Sequence, residues 1–293
     1  LKIKKINQEN PENHFNLIIK MIACINGVFE DLENYAYSVC NRAFEYGDGV
    51  FETIIARNNT IYFWQDHFQR LLGGMKALYF DISPSFTADY LQNIIFEIAQ
   101  KNNFSNYFRI KINVWRETGG LYTPQNNHYN WLVRVFPATE KHNIIKEKAV
   151  FFEDVRLVAS NISPYKTLNA LPYVLAGIYK QQQQADEVIL LSHDDCIAET
   201  LASNIFWIKN NVIYYPSLAC GGKKGILQTQ IIRRAKELKI ETQEGKFLKN
   251  DLLEAEVVFT SNVAGIESIQ EIENTRYQTE HPYITEFREL IKF

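Results

Sequence analysis

Two asparagine pairs, Asn58-Asn59 and Asn210-Asn211, constrain the fold of this 293-residue chain more than any other feature. Each stands between two short runs rich in β-branched and aromatic residues: Val50 to Arg57 and Thr60 to Phe63 around the first, Ile205 to Lys209 and Val212 to Tyr215 around the second. Asparagine tolerates the left-handed backbone region that a two-residue hairpin turn demands, so both halves of the chain are expected to hold antiparallel strands. Elsewhere the hydrophobic period is helical. Phe68, Leu71, Leu72, Met75 and Leu78 share one side of a helix over Trp64 to Tyr79, and a second helix, about Thr87 to Lys101, follows Pro84.

Cys24 to Glu30 reads as one short strand, and Tyr107 to Trp115 and Trp131 to Phe136 as paired strands around a long loop, Arg116 to Asn130. Further strands are expected at Ala149 to Phe152, Glu187 to Leu191, Val257 to Thr260 and Gly265 to Ile269, with helices at Asn169 to Lys180 and Ile226 to Leu238 and a short amphipathic helix at the end. Hairpins mixed with crossover helices predict an α/β (α+β mixed) fold with a mixed sheet. The polar, nonperiodic stretch 138–143 is the expected linker between a small N-terminal α/β domain, 21–137, and a larger C-terminal domain, 144–293.

Composition removes several function classes. A net charge of -3 gives no broad basic field for nucleic acid. No run of 18 apolar residues exists, so a membrane span is not expected. Cys24, Cys40, Cys196 and Cys220 are scattered without a metal-ligand rhythm, which indicates reduced thiols and a cytoplasmic location. His14, His67, His128, His142, His193 and His281 are isolated, so no metal site is expected. There is no GxSxG elbow, and the lysines Lys223 and Lys224 lack Walker A spacing and read as a solvated loop.

The chemistry concentrates in Ser163-Pro164-Tyr165-Lys166-Thr167-Leu168-Asn169-Ala170-Leu171-Pro172 and Ala198-Glu199-Thr200-Leu201-Ala202-Ser203-Asn204-Ile205-Phe206. A lysine at a strand-to-helix junction with a carboxylate downstream suits a pyridoxal phosphate enzyme. The lysine holds the cofactor as an imine, and the acid faces the ring nitrogen and keeps it protonated. Burial lowers a lysine's affinity for its proton toward the neutral, imine-forming state.

These segments resemble the class IV (fold type IV) aminotransferase family, which includes branched-chain and D-amino acid aminotransferases and aminodeoxychorismate lyase. The likeness runs from about Ile22 to Ile272 with its motifs in family order. It implies Lys166 as the Schiff-base lysine, Glu199 as the ring-nitrogen partner and Asn204 as a further cofactor-binding residue. Asp66-His67-Phe68-Gln69-Arg70-Leu71 is similar to the family's His-x-x-Arg-Leu helix, which makes Arg70 the phosphate-binding arginine. Gly225, Ile226 and Leu227 are similar to its phosphate turn at a helix N-terminus, and Asn262 and Val263 to its last phosphate-side loop. Three positions depart from the pattern: Leu201 replaces a small residue, Tyr215 a threonine, and Gln228 the basic residue of the phosphate turn.

Tyr46, in a segment Tyr46 to Thr53 that matches the family's Tyr-Gly-Asp-Gly-x-Phe-Glu-Thr, is implied to touch substrate. Arg109 is a candidate carboxylate anchor, and Tyr122 ends a loop, Arg116 to Tyr122, similar to one in the lyase. Lys166-Thr167-Leu168-Asn169 and Ser261 to Ile266 look more like the lyase or a D-amino acid aminotransferase than a branched-chain enzyme. The leading expectation is therefore a lyase that releases pyruvate from aminodeoxychorismate to leave 4-aminobenzoate. An aminotransferase and a degenerate, non-catalytic binding protein stand as alternatives. The resemblance also implies a homodimer acting on a small amino or carboxylate substrate, and a usual start near Met21 that leaves residues 1–20 as an extension.

Overall fold

The computed structural model describes residues 21–33, 36, 38–139 and 144–292. The expected extension, 1–20, lies outside them, as does 140–143 of the expected linker. Among the described residues the strands form three sheets. The first takes all its strands from the N-terminal part, in the spatial order Val28–Asp31, Ile22–Ile25, Tyr129–Pro137, Tyr107–Arg116, Gly49–Arg57, Thr60–Ile61. Every pairing in it is antiparallel.

Cys24 to Glu30, expected as one strand, is a hairpin, Ile22–Ile25 with Val28–Asp31. Asn26 (φ 50) and Gly27 (φ 90) turn the chain between them. A run of apolar residues hid an Asn-Gly pair, the strongest short hairpin signal there is. Asn58 (φ 47) with Asn59 (φ 61) and Asn210 (φ 51) with Asn211 (φ 60) make the two expected turns.

Helices Trp64–Ala77 and Ala88–Lys101 cover one face of this sheet. Thr87 caps the second, its hydroxyl accepting from the Tyr90 N–H at 3.2 Å. Along Gly49–Arg57 the residues Val50, Ile54 and Ala56 enter the core with Phe68, Leu71 and Met75, as the two-residue strand period and helical spacing require.

The remaining sheets use strands between Ile145 and Arg276. One runs Ile197–Thr200, Glu187–Ser192, Ala149–Leu157, Glu271–Ile272, Thr275–Arg276. The other runs Thr242–Gly245, Val212–Pro216, Asn204–Lys209, Val257–Asn262, Gly265–Ile269, Ile145–Lys146. Each contains a parallel crossover. Helix Leu171–Gln182 connects Ala149–Leu157 to Glu187–Ser192, and helix Ile226–Glu237 connects Val212–Pro216 to Thr242–Gly245. Among the described residues no helix is long and apolar enough to cross a membrane.

The segment before the first crossover helix is stitched to the N-terminal sheet by backbone bonds. Phe51 N–H donates to the Lys166 carbonyl at 2.8 Å, and Leu168 N–H to the Gly49 carbonyl at 2.9 Å. On its other side the Lys224 N–H donates to the Pro164 carbonyl at 3.0 Å. Lys166 is thereby held where three pieces of the chain meet.

Candidate active site

A cavity of about 390 Å³ opens at that meeting point. Lys166, Glu199, Asn204, Arg70, Arg109, Gly225, Ile226, Leu227, Asn262 and Val263, which come from segments far apart in sequence, all line it. Its size lies in the range of small-ligand pockets.

Lys166 projects from the loop ahead of helix Leu171–Gln182, its Nζ 5.4 Å from the centre of the Phe51 ring. Burial pushes its ammonium below the ordinary lysine value and the positive Arg70 adds to this, against the pull of Glu52 and Glu199. A lysine so placed has more of the neutral amine a carbonyl needs.

Glu199, on strand Ile197–Thr200, is 3% exposed and hydrogen-bonded at both oxygens. Its Oε1 accepts from the Tyr173 hydroxyl at 2.5 Å and its Oε2 from the Lys223 N–H at 2.9 Å. Lys223 does not belong to a solvated loop: it lines the cavity, with its Nζ 5.1 Å from the centre of the Tyr173 ring. Burial lowers its ammonium's proton affinity, and Glu199 opposes that shift. Lys224 is exposed.

At the other end, helix Ile226–Glu237 points its N-terminus into the cavity. The N–H groups of a helix's first turn have no acceptor within the helix and attract anions. Gln228 does not substitute for a basic residue there. Its Oε1 accepts from the Gly225 N–H at 3.2 Å and closes the turn. Gly225 itself cannot carry a side chain in place, because an added Cβ would lie 1.8 Å from Asn204 Oδ1. Asn204 in turn donates through Nδ2 to the Lys223 carbonyl at 2.9 Å.

Arg70 comes from helix Trp64–Ala77 and lies behind this cradle. Its Nε and Nη2 donate to the two oxygens of Glu52 at 2.7 Å each, and Nη1 to the Lys224 carbonyl at 2.8 Å. The second side of Glu52 meets His67 Nδ1 at 2.8 Å. Burial keeps His67 below the ordinary histidine value, so the neutral ring carries its proton on Nδ1 to donate. Burial would raise Glu52, but Arg70 and His67 outweigh it and hold the carboxyl at about 2.

On the last loop the Asn262 amide donates to Ser203 Oγ at 2.8 Å and its carbonyl accepts from the Ala264 N–H at 2.8 Å. Ser261 lines the cavity and is 1% exposed, and its buried hydroxyl finds no hydrogen-bond partner among the described residues. A buried donor left open beside a helix N-terminus and an arginine fits a phosphate. With an amine at one end of the cavity and a carboxylate at its wall, the donor set fits pyridoxal phosphate as a whole.

Two expected residues are not part of this cavity. Tyr46 and Tyr122 pack against each other with ring centres 5.6 Å apart, and neither lines it. Tyr122 is 89% exposed on a loop that Arg42 and Arg116 brace from below. Arg42 donates to the Gly119, Gly120 and Leu121 carbonyls, and both arginines bind Asp48. Arg109 lies at the mouth, its guanidinium 5.3 Å from the centre of the Phe136 ring.

Sequence reasoning missed Glu52, His67, Tyr173, Lys223 and Ser261. Glu52 did leave a signal. It alternates with Val50, Ile54 and Ala56 on the core face of its strand, where an acid needs a partner. Ser261 left none, because an orphaned hydroxyl is visible only once its surroundings are known.

Fold and cavity together define an enzyme built around a phosphorylated pyridine cofactor. The profile of the family described as amino-transferase class IV matches residues 49–272, and the chain belongs to that family. Its members use pyridoxal phosphate, and so does this enzyme. A Methanocaldococcus jannaschii protein named provisionally as a branched-chain-amino-acid aminotransferase is 30% identical over 246 residues, covering 82% of this chain and 83% of its own. The D-alanine aminotransferase of Listeria monocytogenes is 27% identical over 252 residues, covering 83% and 84%. The crystal structure of the branched-chain aminotransferase of Thermoproteus uzoniensis with norvaline superposes with a TM-score of 0.83, at 24% identity over 92% of each chain. It shares the fold.

Proposed function

We propose that this protein is an aminotransferase that moves an amino group between an amino acid and a 2-oxo acid, with Lys166 as its catalytic residue. The observation that carries the reading is the convergence of Lys166, Glu199 and the N-terminus of helix Ile226–Glu237 on one cavity, with Arg70 behind it. When bound, pyridoxal phosphate supplies an electron sink for the bonds at the substrate's Cα. Lys166 would hold the cofactor and would take and return the proton at the substrate's Cα. Glu199 keeps the ring nitrogen protonated. Arg70, Gly225, Ile226, Leu227, Ser261, Asn262 and Val263 hold the phosphate end, Asn204 fixes the Gly225 turn, and Arg109 takes a substrate carboxylate at the mouth.

The aminotransferase relatives favour transamination. Lyase action on aminodeoxychorismate is the second reading, with which Lys166-Thr167-Leu168-Asn169 and the Ser261 to Ile266 loop are compatible, as they are with a D-amino acid aminotransferase. Arg116 adds nothing to it, since its guanidinium is taken up by Asp48, Asn127 and the Leu78 carbonyl. The reading includes a division into domains 21–137 and 144–293, supported by the segregation of their sheets, and a homodimer. The homodimer is supported by the exposed apolar stripe Leu171, Val174, Leu175 and Ile178 and by tyrosines that lie off their own cavity.

The test is a panel of L- and D-amino acids with 2-oxo acids, scored for amino transfer, alongside aminodeoxychorismate, scored for pyruvate. Transfer without pyruvate release supports the first reading; pyruvate release without transfer replaces it by the second. Lys166→Ala is expected to lose the absorbance of the lysine-bound cofactor and all measurable turnover, and full turnover in that variant would end both readings.

A further inference from the structure

The side chain of Glu199 is gripped by two groups outside every motif. The Tyr173 hydroxyl donates to one oxygen at 2.5 Å and the Lys223 main-chain N–H to the other at 2.9 Å. Tyr173 stands in the first turns of helix Leu171–Gln182, directly after the Lys166 loop, and Lys223 directly before the phosphate-side helix. The Lys223 ammonium lies 5.1 Å from the centre of the phenol ring. At that range it attracts the ring's π face and restrains its plane.

We propose that Tyr173 is a positioning residue for the reaction, acting through Glu199 by holding the carboxylate against rotation. The inference rests on the reading of Glu199 as the ring-nitrogen partner. A carboxylate has about four acceptor sites, so two donors fix its plane and still leave lone pairs for a third. The distance to the hydroxyl is that of a charge-assisted bond, the strong kind. The phenol stays protonated and a donor, since burial and then the Glu199 charge both raise its proton affinity. Lys223 restrains the phenol, the phenol restrains Glu199, and Glu199 governs how fully the ring nitrogen stays protonated.

The test compares the native holoenzyme with Tyr173→Phe, Glu199→Gln and the double variant. Each is read by turnover and by the pH titration of the bound cofactor's absorbance, which a purely structural role would not move. Tyr173→Phe removes one hydroxyl and retains every apolar contact, so circular dichroism is expected to match the native enzyme, with the melting temperature lower by a few degrees from the lost hydrogen bond. Loss of one hydrogen bond to a charged group predicts a fall in kcat of about 10-fold. KM is expected to stay within about 2-fold, because no substrate contact is removed, while the midpoint of the absorbance titration moves. In the Glu199→Gln background the same substitution is expected to change kcat by less than about 2-fold, because residues acting through one group are not additive.

A Tyr173→Phe enzyme with native kcat and titration overturns the inference, as do effects that multiply in the double variant. A variant that unfolds overturns it too, since the hydroxyl would then hold the fold rather than the carboxylate. If Glu199→Gln alone behaves as native, the reading of Glu199 fails and takes this inference with it. If Glu199→Gln is impaired and Tyr173→Phe is not, only the inference falls.

Discussion

Arg70 can present charge to the cavity only because Glu52 compensates it. The pair is 8% and 1% exposed and exchanges two bonds, so removing either charge strands the other in a low-dielectric interior. Glu52→Gln retains the shape and removes the charge. It is expected to destabilise the protein by about 3 kcal/mol, the order found when one partner of a buried pair is lost, and to weaken cofactor binding as Arg70 shifts. The pH dependence has a definite sign. The Glu52 carboxyl falls from 4.5 to about 2 on folding, so its stabilisation is present above pH 4.5 and is lost as pH falls toward 2. Urea unfolding followed from pH 7 to pH 2 is expected to show a decline over that window in the native protein and a flatter profile in Glu52→Gln. Equal slopes would remove Glu52 from the account. Lys166 is shifted in the same direction for a different reason, since burial disfavours its charged form. Its folded value lies below the ordinary lysine value, so the amine is already neutral at a pH where a free lysine is charged. Apoprotein titrated with pyridoxal phosphate is therefore expected to form the lysine-bound absorbance with a pH midpoint below that of a free lysine; a midpoint at or above it would argue against this environment.

Two crossover helices frame the cavity at the scale of elements, one following Lys166 and the other opened by Gly225. Their places were legible in the sequence because apolar spacing and flanking strands mark a crossover whatever it packs against. What faces the cavity was legible only where a motif covers it. Lys166, Glu199 and the Gly225 turn could be read from local strings, whereas Tyr173 and Ser261 gain meaning from neighbours 26 residues away in one case and from missing partners in the other. The Asn26-Gly27 hairpin was missed for a different reason, since the strand pattern on either side is unbroken. At Gly225 the backbone is ordinary (φ -69), so space rather than conformation demands glycine. Gly225→Ala must push Asn204 aside and break its bond to the Lys223 carbonyl. We expect a stability loss of about 3 kcal/mol, from the overpacking and the broken hydrogen bond together, with a larger relative loss of cofactor affinity. Melting of the apoprotein and fluorescence titration with pyridoxal phosphate separate the two, and unchanged affinity would remove this turn from the phosphate end.

For the molecule as a whole, the helix that follows Lys166 poses a problem that one chain does not solve. Leu171, Val174, Leu175 and Ile178 recur at helical spacing and are 67%, 54%, 46% and 47% exposed, while Ala176 on the opposite side is buried. A helix apolar on two sides is stable in water when both are covered. A second copy of the chain would cover the stripe at the element that also carries Tyr173, which links assembly to the site. It would also give Tyr46 and Tyr122, which pair off their own cavity, a neighbouring cavity to reach. Val174→Glu with Ile178→Glu places charge on the stripe, and neither residue is part of the cavity lining. Sedimentation velocity is expected to give a dimer for the native protein and a monomer for the double variant, with activity falling as the monomer appears. A second measurement separates shared sites from mere association. Lys166→Ala lacks the catalytic amine and Tyr46→Ala lacks the donated ring, so mixed chains of the two variants are expected to recover up to about one native site per heterodimer, by the isologous geometry of a two-fold dimer. Recovery arises only if Tyr46 serves the neighbouring chain. Dimers that form without it would retain the stripe as an interface and leave the tyrosines to their own subunit.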